Sequence, residues 1–383
     1  VQKYGHFSIQ EFHKFTNPLT EPKMTILPLE SWLPLREPPL VISGPCSAES
    51  REQVVSTATE LAGIPQVCVF RAGIWKPRTR PESFEGVGIK GLDWLSEVRE
   101  RTGLLTCVEV AQPEHIDMAL LHRVDVLWIG ARTVTNPFSM QDIASALQGV
   151  DIPVLVKNPV APDLSAWIGA LERMAVCGIR KMIAVHRGFL SGQPTLYRNS
   201  PMWEIPIELK RLFPGLPVIC DPSHICGQTK LLWDVAQKAL DLDMDGLMIE
   251  SHTDPEHALT DAAQQVTPGE LKELLQRLIL HRSPSGPDPD RTLERFRCEI
   301  DSLDAQLLGI LAKRMEVVRE MAGFKHHNNL PILQIKRWND LMKDRMELGE
   351  QLGLGQELIQ KLLTLIHEES VNIQEDHAKK KKK

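Results

Sequence analysis

The sequence predicts a (β/α)8 TIM barrel, then a linker, then an all-α domain of three helices. Three observations predict it. Eight short apolar runs alternate with helix-like stretches over about residues 40–280, as strands buried on both faces of a parallel sheet do. Each run ends in a residue able to bind a metal, a phosphate or a carboxylate. Beyond a proline-rich break, apolar residues recur every three or four positions.

The strands are expected at LVISGPC (40–46), QVCVFRAG (66–73), LLTCVEV (104–110), VLWIGAR (126–132), PVLVKN (153–158), KMIAVHR (181–187), PVICDPSH (217–224) and GLMIESH (246–252). Amphipathic spacing marks helices most clearly over 51–62, 91–102, 113–122, 139–149, 163–177, 229–240 and 268–281. Pro113, Pro255 and Pro268 stand just inside helix starts, where the missing N–H has no intrahelical partner to lose. Gly63, Gly103 and Gly178 stand just past helix ends, where a positive φ is expected.

The stretch SPSGPDPD (283–290) has a proline density that suits neither helix nor strand and reads as a linker. Leu293, Phe296, Ile300, Leu303, Leu307, Leu308, Leu311, Met315, Val318 and Met321 then predict one long helix over 291–325. Further helices follow over about 332–350 and 356–375, separated by turns at 328–331 and at Gly353 and Gly355. Three helices with so long a first one cannot cover their own apolar faces, so a partner chain is expected. The division is thus 1–34 a leader, 35–280 the barrel, 281–291 the linker, 292–375 the helical domain and 376–383 a solvated Lys-rich tail. Within the leader, the smoother sequence opening at Met24 sets apart residues 1–23, which read as flexible or vector-derived.

Composition narrows the function classes. Hydrophobic residues make up 42% and charged residues 25% of the 383, an ordinary balance for a globular protein. No apolar run approaches the roughly 20 residues that span a bilayer, and no secretory leader is evident, so no membrane partner is expected. A net charge of −6 argues against nucleic acid. Seven cysteines, an odd number placed mostly inside strands and helices, fit reduced thiols in a cytoplasm.

The strand ends carry the chemistry. Cys46, His224 and Glu250 converge on one barrel mouth, and Asp261 follows on the next loop. Sulfur, imidazole and carboxylate together suit a divalent transition metal such as manganese, iron, cobalt or zinc. Arg71, Lys76, Arg78, Arg132, Lys157 and Arg187 ring the same mouth. So many cations repel one another unless an anion neutralises them, which implies a phosphorylated, carboxylated substrate.

The ordered motifs GPCS, FRAG-x-x-KPRT, GART, KN, HRG, DPSH and ES closely resemble those of the type I, beta-subclass 3-deoxy-D-arabino-heptulosonate 7-phosphate (DAHP) synthases over about residues 35–270. The resemblance implies condensation of phosphoenolpyruvate with erythrose 4-phosphate in aromatic biosynthesis. It implies Cys46, His224, Glu250 and Asp261 as metal ligands. Arg71, Lys76, Arg132, Lys157 and Arg187 become a phosphoenolpyruvate clamp, Arg78 and Thr79 contact erythrose 4-phosphate, and Glu109 lies near the reacting carbons. The nearest rival is 3-deoxy-manno-octulosonate 8-phosphate synthase, whose lysine motif continues through Asn-Arg-Ser-Ser. The KPRT of this chain favours the four-carbon aldehyde.

Residues 291–375 resemble the all-helical chorismate mutases. That resemblance implies Arg314 and Arg337 on the two carboxylates of chorismate, Lys325 and Gln374 at the breaking ether oxygen, Ser370 one turn before Gln374, and Arg297 reaching into a partner's site in a homodimer. The rearrangement to prephenate needs no nucleophile, only a held conformer and stabilised charge. Two departures stand out: Trp338 occupies a position often acidic in the family, and Gln334 one that is often Asp. Tryptophan cannot accept the hydrogen bond of the substrate hydroxyl. A second reading, compatible with the first, makes the helical domain a sensor of chorismate or prephenate that throttles the barrel.

Overall fold

The computed structural model describes residues 24–76, 84–192, 195–280 and 287–380. The chain divides into two compact units, Val1–His281 and Arg282–Lys383. In the first, strands β1 (Leu40–Gly44), β2 (Val67–Arg71), β3 (Leu105–Val110), β4 (Val126–Ile129), β5 (Val154–Lys157), β6 (Met182–His186), β7 (Val218–Cys220) and β8 (Gly246–Glu250) close into a parallel barrel in chain order. β1 completes the ring against β8, with Leu40 opposite Gly246 and Gly44 opposite Glu250. The helices are α1 (Arg51–Leu61), α2 (Lys90–Thr102), α3 (Pro113–Leu121), α4 (Ala131–Val134), α5 (Pro137–Ala146), α6 (Leu164–Val176), α7 (Glu204–Leu212), α8 (Pro222–Cys226), α9 (Leu232–Asp241) and α10 (Pro268–Arg277).

Side chains sort by the two-residue period of a strand. Val41, Val67, Val108, Leu127, Val154, Ala184 and Leu247 pack with the helices in one cluster, while Ile42, Val69, Cys107, Trp128, Leu155, Val185 and Met248 form a second cluster inside the barrel. Two positions beyond Val69, Cys107, Leu155, Val185 and Met248 stand Arg71, Glu109, Lys157, Arg187 and Glu250. The same inward row that fills the core thus ends in charged groups at the carboxyl ends of the strands.

The structure amends several expectations. Leu29 and Leu33, within the expected leader, are buried with the interior cluster, and Leu27 N donates to Arg180 O, so residues 24–34 belong to the barrel unit. Residues 1–23 lie outside the described residues. Helix α7 is an addition to the expected helices, although Ile205, Leu209 and Leu212 give it an apolar stripe at helical spacing, with Pro206 near its start. Gly103 and Gly178 do adopt positive φ, whereas Gly63 does not. After α1 the chain tightens instead, Gly63 N donating to Glu60 O. Pro113 and Pro268 open α-helices, but Pro255 opens only a 3-10 turn, Pro255–His257.

The second unit consists of α11 (Pro287–His327), α12 (Ile335–Gln351) and α13 (Gln356–Lys380), with α11 and α12 each packed on α13. The expected linker is shorter than its composition suggests: 281–286 lie outside the described residues, and helix begins at Pro287. Pro287 and Pro289 fall in the first turn, where no intrahelical N–H is required. The Lys-rich tail likewise continues α13 as far as Lys380. Along α11, Leu293, Phe296, Ile300, Leu303, Leu307, Ile310, Val317, Met321 and Phe324 are 38 to 64% exposed. They follow alternating steps of three and four, interrupted once by Arg314.

Candidate active site

At the barrel mouth, donor atoms of Cys46, Glu250 and Asp261 all lie within 4.8 Å of one another. The Cys46 thiol donates to Asp261 Oδ2 at 3.3 Å and accepts from Lys76 Nζ at 3.1 Å. Lys76 can fold back because residue 73 is glycine: a Cβ there would come within 2.6 Å of both Cys46 O and Lys76 Cε. His224 stands at the edge of this trio rather than in it, with Nε2 3.9 Å from Glu250 Oε1. It rides on α8, whose N-cap, Asp221, takes His224 Nδ1 at 2.8 Å. A carboxylate on one ring nitrogen leaves Nε2 to face the trio, the arrangement usual behind a metal-bound imidazole. One thiol, one imidazole and two carboxylates suit a divalent ion of borderline softness.

Burial sets the electrostatics. Burial and then Glu250 push the Cys46 thiol up to about 11. Burial alone would raise the Glu250 carboxyl, but His224 and Arg71 outweigh it and hold it below its ordinary value. Burial also opposes ionisation of Asp261, which Arg198 and His224 nevertheless hold down at about 2. Burial lowers His224, which favours the neutral imidazole that metal binding requires.

Beside the trio opens a cavity of about 360 Å³ lined by Lys76, Arg132, Lys157, Arg187 and Arg198, with Glu109, His224 and Asp261. Lys157 Nζ donates to Asp221 Oδ2 at 2.8 Å, and Arg187 Nη1 to Asn199 Oδ1 at 2.9 Å. Arg187 Nε is buried without a hydrogen-bond partner among the described residues. Arg132 sits on α4, one turn beyond the strand. Glu109 enters the cavity because residue 130 lacks a side chain: a Cβ at Gly130 would overlap its carboxylate. Arg71 lies deeper, fully buried, with Nη1 on Glu250 at 3.0 Å, Nη2 on Cys46 O at 3.2 Å and its guanidinium 4.6 Å over Trp128. Arg78 and Thr79 fall outside the described residues.

Several residues here escape a reading of strand ends alone. Asp221, which joins Lys157 to His224, is no exception to the register, standing two positions beyond the inward Ile219, and its Asp-Pro marks a helix start. Arg198, from the loop before α7, donates to Asp261 Oδ1 at 3.0 Å and to Gln264 Oε1 at 2.7 Å. Gln264 in turn donates to Glu250 Oε2 at 2.7 Å, and Gln265 accepts from Cys46 N at 2.9 Å. No motif marks these three.

In the helical unit, Arg314 Nη1 donates to Ser370 Oγ at 2.7 Å, and Ser370 Oγ donates to Ile366 O. Lys325 Nζ donates to Ile332 O at 2.6 Å. A cavity of about 300 Å³ is lined by Lys325 and Gln374 with Ala322, His326, Asn329, Leu330 and Ile332. Gln374 is buried, with Nε2 on Ser370 O and Oε1 without a hydrogen-bond partner among the described residues. Arg314, Ser370, Lys325 and Gln374 are therefore gathered at one end of the α11–α13 packing. Arg337 is exposed on α12, and Arg297 is exposed beside Glu294. Gln334, the N-cap of α12, makes no side-chain cap bond. Trp338 stacks on His367, with ring centroids 3.9 Å apart.

Comparison with known proteins follows the same division. Residues 36–281 match the DAHP synthetase I family, and residues 296–375 match chorismate mutase type II. The chain is 32% identical over 238 residues to a phospho-2-dehydro-3-deoxyheptonate aldolase of Thermotoga maritima, covering 62% of this chain and 68% of that protein. It is 28% identical over 259 residues to a 2-dehydro-3-deoxyphosphooctonate aldolase of Methylobacterium radiotolerans, covering 63% and 88%. A crystal structure of the Thermotoga maritima DAHP synthase superposes with a TM-score of 0.56 at 30% identity, over 62% of this chain and 67% of that one.

Proposed function

The chain belongs to the DAHP synthetase I family, its barrel fused to a domain of the chorismate mutase type II family, and from that premise we propose a bifunctional enzyme of the shikimate pathway. The barrel, of the type I, beta-subclass kind, condenses phosphoenolpyruvate with erythrose 4-phosphate. The helical domain converts chorismate to prephenate. The observation that carries the first activity is the meeting of a Cys–Glu–Asp trio and five cations at one cavity.

Lys157, Arg187 and Arg132 hold the phosphate and carboxylate of phosphoenolpyruvate, and the unpartnered Arg187 Nε offers a further donor. Cys46, Glu250 and Asp261, with His224 at their edge, would hold a divalent ion (manganese, iron, cobalt or zinc), which would supply Lewis acidity for the aldehyde. The enol carbon bonds to the aldehyde carbon, water adds to C2, and the resulting hemiketal phosphate breaks its C–O bond to release phosphate. Lys76, held between the trio and the cavity, gives a proton to the alkoxide left on the former aldehyde oxygen, making it a hydroxyl. Glu109 faces the developing positive charge at C2 and takes the proton of the incoming water. Arg71 keeps Glu250 ionised and oriented from below.

Phosphate release from phosphoenolpyruvate, measured with four- and five-carbon aldose phosphates and with or without EDTA, tests this reading. Turnover with the four-carbon aldehyde that chelation or Cys46→Ala abolishes is expected. Preference for the five-carbon aldehyde would transfer the barrel to the octulosonate reaction of its other relatives. Full activity after chelation would defeat the metal assignment.

For the helical domain, the carrying observation is Arg314, Lys325, Ser370 and Gln374 gathered around buried amide and hydroxyl groups. Two copies joined along the exposed stripe of α11 would cover it and bring each copy's Arg297 to the other's site, which supports a homodimer. Prephenate or chorismate bound there throttles the barrel in a feedback reading; a helical domain that binds without turnover is the alternative, and loss of chorismate with Arg314→Ala as control separates the two. Seven free thiols suit the reducing cytoplasm.

A further inference from the structure

The substrate hydroxyl of the helical site has no carboxylate to receive it at position 338, where tryptophan stands. Gln334 is exposed at the start of α12. A different acceptor is at hand. The imidazole of His367 lies flat on Trp338, with centroids 3.9 Å apart and planes 23° from parallel. His367, Ser370 and Gln374 are spaced three and four residues apart, so they share one face of α13. Ser370 holds Arg314, and Gln374 shares its cavity with Lys325. Those same two cations, Arg314 and Lys325, act electrostatically on His367. The ring is half-buried and forms no hydrogen bond among the described residues.

We infer that His367 accepts the hydrogen bond of the ligand's ring hydroxyl, with Trp338 as the positioning residue that fixes the imidazole plane. This rests on the mutase reading above and deepens it. A neutral imidazole has one lone-pair nitrogen, which is what the hydroxyl requires. Burial, then Arg314, outweighs the opposing Glu368 and keeps His367 below its ordinary value, which favours the neutral ring near pH 7. The stack explains why an indole replaces a carboxylate without emptying the site of an acceptor. The acceptor has moved from α12 to α13, and the indole supports it. Exchanging an anion for a neutral ring also removes a charge that would otherwise repel a dicarboxylate ligand.

The test uses the full chain with His367→Phe, which keeps a flat ring for the stack but has no nitrogen, and His367→Gln, which keeps an acceptor. The readouts are KM and kcat for chorismate and the calorimetric dissociation constant of prephenate, since both molecules carry the hydroxyl. His367→Phe is expected to raise KM and the prephenate dissociation constant about tenfold, the effect of one lost hydrogen bond, with a far smaller change in kcat. His367→Gln is expected to recover most of the loss. Unchanged affinities in His367→Phe would overturn the assignment. So would an equal loss in both variants, which would make the ring a packing element. The parent reading fails separately, in the wild-type chain alone, if chorismate is neither turned over nor prephenate bound. If prephenate binds without turnover, the affinity comparison alone decides.

Discussion

At the residue scale, the carboxylate of Asp221 holds Lys157 and His224 at once and has no exposure to solvent. Burial disfavours its charge, yet His224 and Lys157 keep its carboxyl well below the usual range. Asp221→Ala leaves two buried groups unpaired and is expected to lower stability at pH 7 by about 3 kcal/mol in urea titration. The sign of the pH effect follows from the depressed values of Asp221, Glu250 and Asp261, the last at about 2. Such groups contribute stability in full above about pH 4, their unfolded range, and lose it as pH falls through the folded values. The urea midpoint is therefore expected to drop from about pH 4 towards 2, and Asp221→Ala to flatten part of that drop. Gly130→Ala tests Glu109 instead. The added methyl meets only the far end of a flexible side chain, so the melting temperature should hold while condensation falls more than tenfold. Legibility at this scale follows strand register. Glu109, Lys157 and Glu250 could be read because each continues an inward row. Arg198 and Gln264 could not, because they reach the site from loops that have no period, whereas Asp221, two positions beyond the inward Ile219, lies within that register.

At the scale of elements, α11 exposes apolar residues in alternating steps of three and four, the seam of a coiled coil. Legible in the sequence as spacing, the stripe is expected to pair with a second copy. Light scattering on the full chain should give the mass of two chains, and Leu307→Lys, which puts a desolvated charge in the seam, the mass of one. Equal masses would remove the stripe from the assembly. Other elements were harder to read. α7 carries Pro206 in its first turn, which reads as a break despite the stripe of Ile205, Leu209 and Leu212, and composition hid the helical start at Pro287, because prolines tolerated in a first turn look like linker. The N-terminal Leu29 and Leu33 gave no periodic signal, since a short 3-10 turn repeats too little to show one.

At the scale of the whole molecule, the order of eight strands was the most legible feature, because alternation of apolar runs with helices admits few other closures. If the helical domain reports ligand to the barrel, prephenate should slow phosphate release in the intact chain and leave the Arg314→Ala chain unaffected, as read by steady-state rates at several prephenate concentrations. Equal rates with and without prephenate would reduce the fusion to two independent catalysts. The one polar break in the stripe of α11 carries a last implication. Arg314 interrupts the very row of side chains through which copies would associate. Mass action then enters the chemistry: on dilution, rearrangement should fade as copies part, while condensation, whose groups all come from one barrel, should persist at the same rate per chain.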